Sequence, residues 1–267
     1  MAAWRSWGRT DPAGGATVEV PRAIPGVRVE VTKLNKFFGE KHVLCDLDLT
    51  VEAGETFVIF GPSGCGKSVF LKHLAGLVAP DSGEIRLDGE PASSAGGGRF
   101  RMAMVFQSSA LFNSLTVGEN VGLWLKEHRI CPPPEIARIV AEKLELVGLQ
   151  GTERSMPSEL SGGMKKRVSI ARALAVSPHL ILYDEPTAGL DPVLTEQVGQ
   201  VIAGLKRFQI TALVVTHDLN LGFAVGDRLG MMHGGRLVET GSAEAVRATR
   251  HPIVQAFIHT QMKIVAR

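Results

Sequence analysis

Eight consecutive residues carry the densest chemistry in the sequence: Gly61, Pro62, Ser63, Gly64, Cys65, Gly66, Lys67 and Ser68. Glycines at three of these positions let a backbone wrap an anion, with successive N–H groups pointing inward. Lys67 adds a charge for β- and γ-phosphates, and Ser68 a hydroxyl for Mg2+. Cys65 stands where the spacing leaves the residue free, and reads as packing. A second group lies far downstream, where the apolar run Leu180–Tyr183 ends in Asp184 and Glu185. A strand buried on both faces delivers its last residues to the sheet edge where α/β proteins bind ligands. Asp184 would there hold Mg2+, directly or through water, and Glu185 would polarise an attacking water. Together these features point to nucleoside triphosphate chemistry.

Such groups need rigid elements behind them. Thr56–Phe60 is a short continuous apolar run, as in a buried parallel strand, and Lys67–Leu77 follows with helical spacing. Val27, Val29 and Val31 alternate with polar residues, as do residues 43–51, which predicts half-buried strands. Further strands are expected at 83–89 and 101–106. Thr116 and Glu119 then form a capping box, ahead of Val117, Val121 and Leu125 on one helix face. Pro132–Pro134 opens a second helix, with Ile136, Ile139, Val140, Leu144 and Val147 on its buried side. Ser161 starts a third. Strands return at 180–183, 210–215 and 229–232. This order predicts an α/β fold: a mostly parallel sheet with helices on both faces, interrupted by an α-helical insert over about 115–176. Residues 1–27 mix Pro, Gly, Ala and Arg without a period and read as a poorly ordered extension.

Composition narrows the function classes. The 267 residues carry 29 Lys+Arg against 27 Asp+Glu, a near balance that argues against a nucleic-acid partner. The three cysteines, Cys45, Cys65 and Cys131, have no CxxC spacing, which suits a reducing compartment and suggests no zinc site. No signal peptide is readable at the start, and no stretch approaches the roughly 18 apolar residues of a spanning helix. A membrane role is therefore expected to come through a partner. Thirty glycines, about 11% against a usual ~7%, mostly stand singly, where turns or close approaches can require them.

The discriminating segment is Leu160-Ser-Gly-Gly-Met164, followed by Lys165-Lys166-Arg167. Ser161, Gly162 and Gly163 at a helix start would form a second anion site, with bare N–H groups and the helix dipole aimed outward. Here the sequence resembles the ATP-binding cassette (ABC) ATPases, whose signature begins Leu-Ser-Gly-Gly. Other elements of that family follow in order. Phe38, before Gly39, resembles the aromatic that stacks on adenine, with Phe37 the competing candidate. Gln107 resembles the Q-loop glutamine that touches Mg2+ or water and senses the transport partner. Ala188–Asp191 matches the D-loop, and His217 in Thr216-His217-Asp218 matches the switch histidine that contacts the γ-phosphate. The resemblance runs from about Val27 to Gly241.

What the resemblance implies follows from the family. It implies a P-loop NTPase core at 28–241, with an N-terminal antiparallel β-subdomain, and a C-terminal helical tail at 242–267. Two such domains would face head to tail, each ATP lying between the P-loop of one and the signature of the other. One copy of each motif therefore implies a homodimer with two composite sites, using ATP and Mg2+ to move an integral membrane permease. Leu111, Phe112 and Leu115 are apolar residues of a predicted loop near Gln107 where that permease could sit. The continuation Met-Lys-Lys-Arg-Val, with Ser109–Val121, is similar to the Mla/Mce-associated ATPases of lipid transport. A solvated basic face is the plainer reading of that run. The subfamily implies an MlaE-like permease, Mce-domain and STAS-domain proteins, and the cytoplasmic face of a bacterial inner membrane. An importer ATPase for a small polar solute, or a soluble ABC ATPase, remain the alternatives.

Overall fold

The computed structural model describes residues 25–92 and 100–265, with side chains described to residue 261. The expected extension over residues 1–24 and the glycine block at 93–98 lie outside the described residues. Val27 is fully buried and the Gly26 N–H donates to the Gln209 carbonyl at 2.9 Å. The packed chain thus begins by Gly26, inside the stretch 1–27 assigned to the extension.

Two sheets organise the molecule. The first is antiparallel, in the order β2 (Lys41–Val51), β1 (Val29–Phe38), β4 (Ser82–Leu87), β5 (Glu90–Pro91). Val29, Val31, Leu34, Leu44, Leu47, Leu49 and Val51 of this sheet are all buried, and register shifts past Val31 return the side chains to the core face after the alternation breaks. The second has six strands in the order β10 (Arg236–Gly241), β9 (Arg228–His233), β3 (Thr56–Phe60), β8 (Thr211–Thr216), β7 (Leu180–Asp184), β6 (Met102–Val105). Pairing from β9 to β6 is parallel, and β10 alone returns antiparallel. Every residue of β3, β7 and β8 is buried, which explains their continuous apolar runs. Fully burying one such Phe, Ile or Val stabilises the fold by about 1.5–3 kcal/mol.

Between β6 and β7 lie helices: α2 (Val117–Glu127), α3 (Pro133–Leu146), a 3-10 turn at Pro157–Glu159, and α4 (Gly162–Ala175). The Thr116–Glu119 box is complete: each residue's side chain accepts the other's backbone N–H. Helix α1 runs Lys67–Leu74, shorter than the Lys67–Leu77 expected. Gly76 ends it in a left-handed conformation (φ +67°), with Gly76 N–H to the His73 carbonyl and Leu77 N–H to the Lys72 carbonyl. Leu77 matches the apolar period yet lies half-exposed beyond that cap.

Helices α5 (Pro192–Leu205) and α6 (Leu219–Val225) separate β7, β8 and β9. After β10 come α7 (Ala243–Arg247) and α8 (Pro252–Val265), which are not loose. Val246, Val254 and Ile258 are buried, and Phe257 lies 5.7 Å from the Phe60 ring.

Candidate nucleotide site

The C-terminal edge of the parallel sheet gathers most of the chemical residues. β3 ends at Phe60, and the chain turns at Gly61 into the loop that opens α1. A Cβ on Gly61 would lie 2.2 Å from the Met232 carbonyl oxygen, so the loop hugs β9 at a distance only glycine permits. Gly66 has φ +111°, and a Cβ there would meet the Val43 carbonyl at 2.9 Å. These contacts fix the loop between β9 and β2. Pro62, Ser63 and Gly64 form its outer turn, with Gly64 in open space at φ +79°. Burial pushes the Cys65 thiol above its ordinary range and keeps it neutral, in line with a packing role.

Lys67 is buried, and its Nζ donates to the Gly61 carbonyl at 2.8 Å and the Pro62 carbonyl at 3.2 Å. The same ammonium lies 3.9 Å from Glu185 Oε1. Ser68 Oγ donates to Asp184 Oδ1 at 2.7 Å, joining the start of α1 to the end of β7. A hydroxyl and a carboxylate at that separation are hard oxygen donors of the kind Mg2+ takes, the remaining positions being left to water and phosphate.

Glu185 continues past β7 with a left-handed backbone (φ +47°), uncommon for a residue with a Cβ. Its N–H donates to the Val215 carbonyl at 2.9 Å, which fixes the turn. His217 stands at the end of the neighbouring β8. Its Nδ1 lies 2.8 Å from Glu185 Oε2, and its backbone N–H donates to the same oxygen at 3.2 Å. The imidazole remains half-exposed while the carboxylate is mostly enclosed. Gln107 is exposed just past β6, and its backbone carbonyl accepts from the Lys166 ammonium.

Other predicted site residues lie apart from this group. Ser161 caps α4, its Oγ accepting the Met164 N–H at 3.3 Å. Cβ atoms built on Gly162 and Gly163 would meet Leu190 at 3.2 Å and Leu194 at 3.0 Å. Asp191 caps α5 through Leu194 N–H at 2.9 Å. Among the described hydrogen bonds and ion pairs, none links Ser161, Gly162, Gly163 or Asp191 to Lys67, Ser68, Asp184 or Glu185. Phe38 lies half-exposed at the β1–β2 turn, under the Lys36 ammonium (5.6 Å to the ring centroid). Phe37 has one face covered by His42, at 4.0 Å and 9°.

Three contributions escape sequence reading. Lys165, Lys166 and Arg167 do not form one solvated face: Lys166 is buried, and Arg167 donates to the Val147 and Gly148 carbonyls. Arg172 holds the Ser109 and Ala110 carbonyls, at 3.1 and 2.6 Å. Asn120, fully buried, accepts from Phe112 N–H and donates to the Phe112, Leu115 and Thr116 carbonyls. The partners of Lys166 and Arg172 lie about 60 residues away, and those of Asn120 are close in sequence but set by how the loop folds back on α2.

A family model described as "ABC transporter" matches residues 44–188. The chain is 42% identical over 240 residues to the "probable ribonucleotide transport ATP-binding protein mkl" of Mycobacterium tuberculosis, covering 88% of this chain and 67% of that one. It is 39% identical over 226 residues to the "intermembrane phospholipid transport system ATP-binding protein MlaF" of Escherichia coli K12, covering 82% and 84%. It is 40% identical over 252 residues to the chloroplastic protein TRIGALACTOSYLDIACYLGLYCEROL 3 of Arabidopsis thaliana, covering 86% and 73%. Among solved structures, the dimeric ATP-binding cassette MJ0796, in a post-hydrolysis state bound to ADP and Pi, superposes with TM-score 0.72 at 31% identity. That match covers 80% of this chain and 98% of the other. A glycine loop opening a helix, a hydroxyl–carboxylate pair and a carboxylate–imidazole pair on one sheet edge are thus found in a chain that belongs to the ABC transporter family, as an ATP-binding cassette that hydrolyses ATP.

Proposed function

We propose that two copies of this chain drive a separate membrane permease that moves phospholipid, on the cytoplasmic face of a bacterial inner membrane. The observation that carries the ATPase half is that Ser68 reaches Asp184, while the next residue, Glu185, lies against both Lys67 and His217. Lys67 exchanges its carbonyl partners for the β- and γ-phosphate oxygens when ATP enters the Gly61–Gly66 cradle. Ser68, Asp184 and Gln107 hold Mg2+, which when bound neutralises developing phosphate charge. Glu185, enclosed and 2.8 Å from His217 Nδ1, positions and polarises the attacking water. His217, half-exposed, is free to meet the γ-phosphate. Phe38 offers its open face to adenine.

Ser161, Gly162, Gly163 and Asp191 lie outside this cluster, and their roles fall on the ATP of the partner subunit. The bare N–H groups at the α4 start form an anion site that a second subunit's γ-phosphate completes. ATP then binds both subunits more tightly when they are closed, and hydrolysis releases them. That movement reaches the permease through the loop carrying Leu111, Phe112 and Leu115, where Phe112 is 53% exposed. No helix among the described residues is long and apolar enough to cross a membrane, consistent with a peripheral subunit.

Phospholipid cargo is supported by the identity to MlaF, which spans 84% of that protein. An MlaE-like permease with Mce-domain and STAS-domain proteins completes the system. The mkl protein, whose name specifies ribonucleotide transport, favours the second reading, a polar solute. The chain should be purified with its membrane partners and placed in liposomes. ATP-dependent transfer of a fluorescent phospholipid supports the first reading; ATP-dependent movement of labelled nucleotide without lipid transfer supports the second.

A further inference from the structure

The unusual basic run of the signature helix has an unexplained member. Lys166 is 4% exposed, although ammonium groups are rarely buried without a partner. Its Nζ donates to the backbone carbonyl of Gln107, 59 residues earlier in the chain. Glu185 and Asp184 also attract its charge, while burial alone draws the ammonium below the ordinary lysine range.

Register shows why this contact matters. β6 and β7 run parallel with Val105 opposite Tyr183, so Gln107 leaves the sheet at the level of Glu185. Nothing in β6 determines where that residue goes, because the strand has already ended. The next residues, Ser109 and Ala110, have positive φ values of 62° and 46°. Their carbonyls are held by Arg172, also from α4. The 107–110 segment therefore hangs by its carbonyls from the signature helix.

We propose that Lys166 is a positioning residue for ATP hydrolysis, holding Gln107 to α4 so that the helix beginning at Ser161 and the Gln107 side chain move as one unit. Gln107 then reaches this subunit's ATP in step with the α4 start reaching the partner subunit's ATP. This inference rests on the role of Gln107 proposed above.

Lys166→Met removes the donor while keeping most of the apolar stem. The expected result has three parts: ATP affinity within threefold of wild type, kcat reduced at least tenfold, and faster hydrogen exchange confined to residues 107–110. A kcat within twofold of wild type overturns the proposal. So does a loss of kcat that is matched by lost affinity and by faster exchange along all of α4, since that marks a merely structural role. Should Lys166→Met fail to fold, Lys166→Arg and Lys166→Gln are compared instead. Arg, retaining the cation, is expected to keep kcat within threefold while Gln does not, and equal behaviour overturns the proposal. Gln107→Ala separates the premises. If its kcat is unchanged, the Gln107 role itself is wrong and the inference goes with it. If its kcat falls while that of Lys166→Met does not, only the Lys166 proposal is overturned.

Discussion

Glu185 and His217 meet across the ends of adjacent parallel strands, with Nδ1 2.8 Å from a carboxylate oxygen that also accepts the His217 backbone N–H. The left-handed turn at Glu185 aims the carboxylate at His217 rather than along the strand. Glu185→Gln keeps an acceptor for both N–H groups but loses the negative charge that polarises water. It is expected to bind ATP, to accumulate as a dimer in size-exclusion chromatography with ATP, and to lose about 100-fold or more in kcat. Turnover near the wild-type rate would remove Glu185 from the mechanism.

Lys67 offers a second test, since its ammonium is buried and held by two carbonyls of the loop it serves. Lys67→Ala leaves the cradle without its cation. A charged hydrogen bond contributes about 1.5–3 kcal/mol, and the two phosphates together lose more than one. Calorimetry is expected to show ATP affinity reduced about 100-fold or more, and undiminished affinity contradicts the phosphate role.

Local signals in the sequence located the elements, and long-range contacts decided how they serve. The β3 run, the glycine loop and the Thr116–Glu119 box are legible because each depends on residues a few positions apart. β10 is not: Arg236–Gly241 is half-exposed, follows the turn at Gly234–Gly235, and exists only by pairing with β9. The same holds for Lys166, whose burial depends on a carbonyl 59 residues away. Two motifs of the site are in view of the sequence but not of each other, because Ser161 and Asp191 cap their own helices and do not join the Lys67 cluster.

That double duty of Ser161 separates two effects. Its hydroxyl caps α4, so Ser161→Ala is expected to cost about 1 kcal/mol and lower Tm by roughly 2–4 °C. Ser161→Arg loses the same cap but also fills the anion site with a long side chain. It should match the alanine variant in Tm and wild type in ATP binding, yet fail to hydrolyse. Equal hydrolysis by the two variants would mean that Ser161 serves only its helix.

Phe37 and Phe38 are adjacent and both half-exposed, but their rings have different neighbours. His42 stacks flat on one face of Phe37 at 4.0 Å, whereas the ring contact described for Phe38 is the Lys36 ammonium at 5.6 Å, a mobile group that a base displaces more readily than a stacked ring. Base–aromatic stacking contributes about 1–3 kcal/mol, so Phe38→Ala is expected to raise the KM for ATP about tenfold. Phe37→Ala should change it less than threefold. The reverse order in steady-state kinetics would transfer the adenine contact to Phe37.

Asn120 carries the last prediction, because it connects stability to coupling. Its side chain accepts from the Phe112 N–H and shares its two amide hydrogens among the Phe112, Leu115 and Thr116 carbonyls while fully buried, and the loop it braces displays Phe112. Asn120→Ala takes that partner from the Phe112 N–H and the Leu115 carbonyl, while the Thr116 carbonyl keeps the bond from the Asn120 N–H and the Phe112 carbonyl that from the Leu115 N–H. An unsatisfied buried group costs about 1–3 kcal/mol, and partial relaxation of the loop sets the expected loss at roughly 3 kcal/mol in denaturant unfolding. None of these bonds reaches Lys67, Asp184 or Glu185, so the protein without its permease should hydrolyse ATP at its usual rate. Stimulation by the permease should fall severalfold, since Phe112 would no longer be presented in one place. Stimulation equal to wild type, alongside measurable destabilisation, would show that this loop is not where the permease docks.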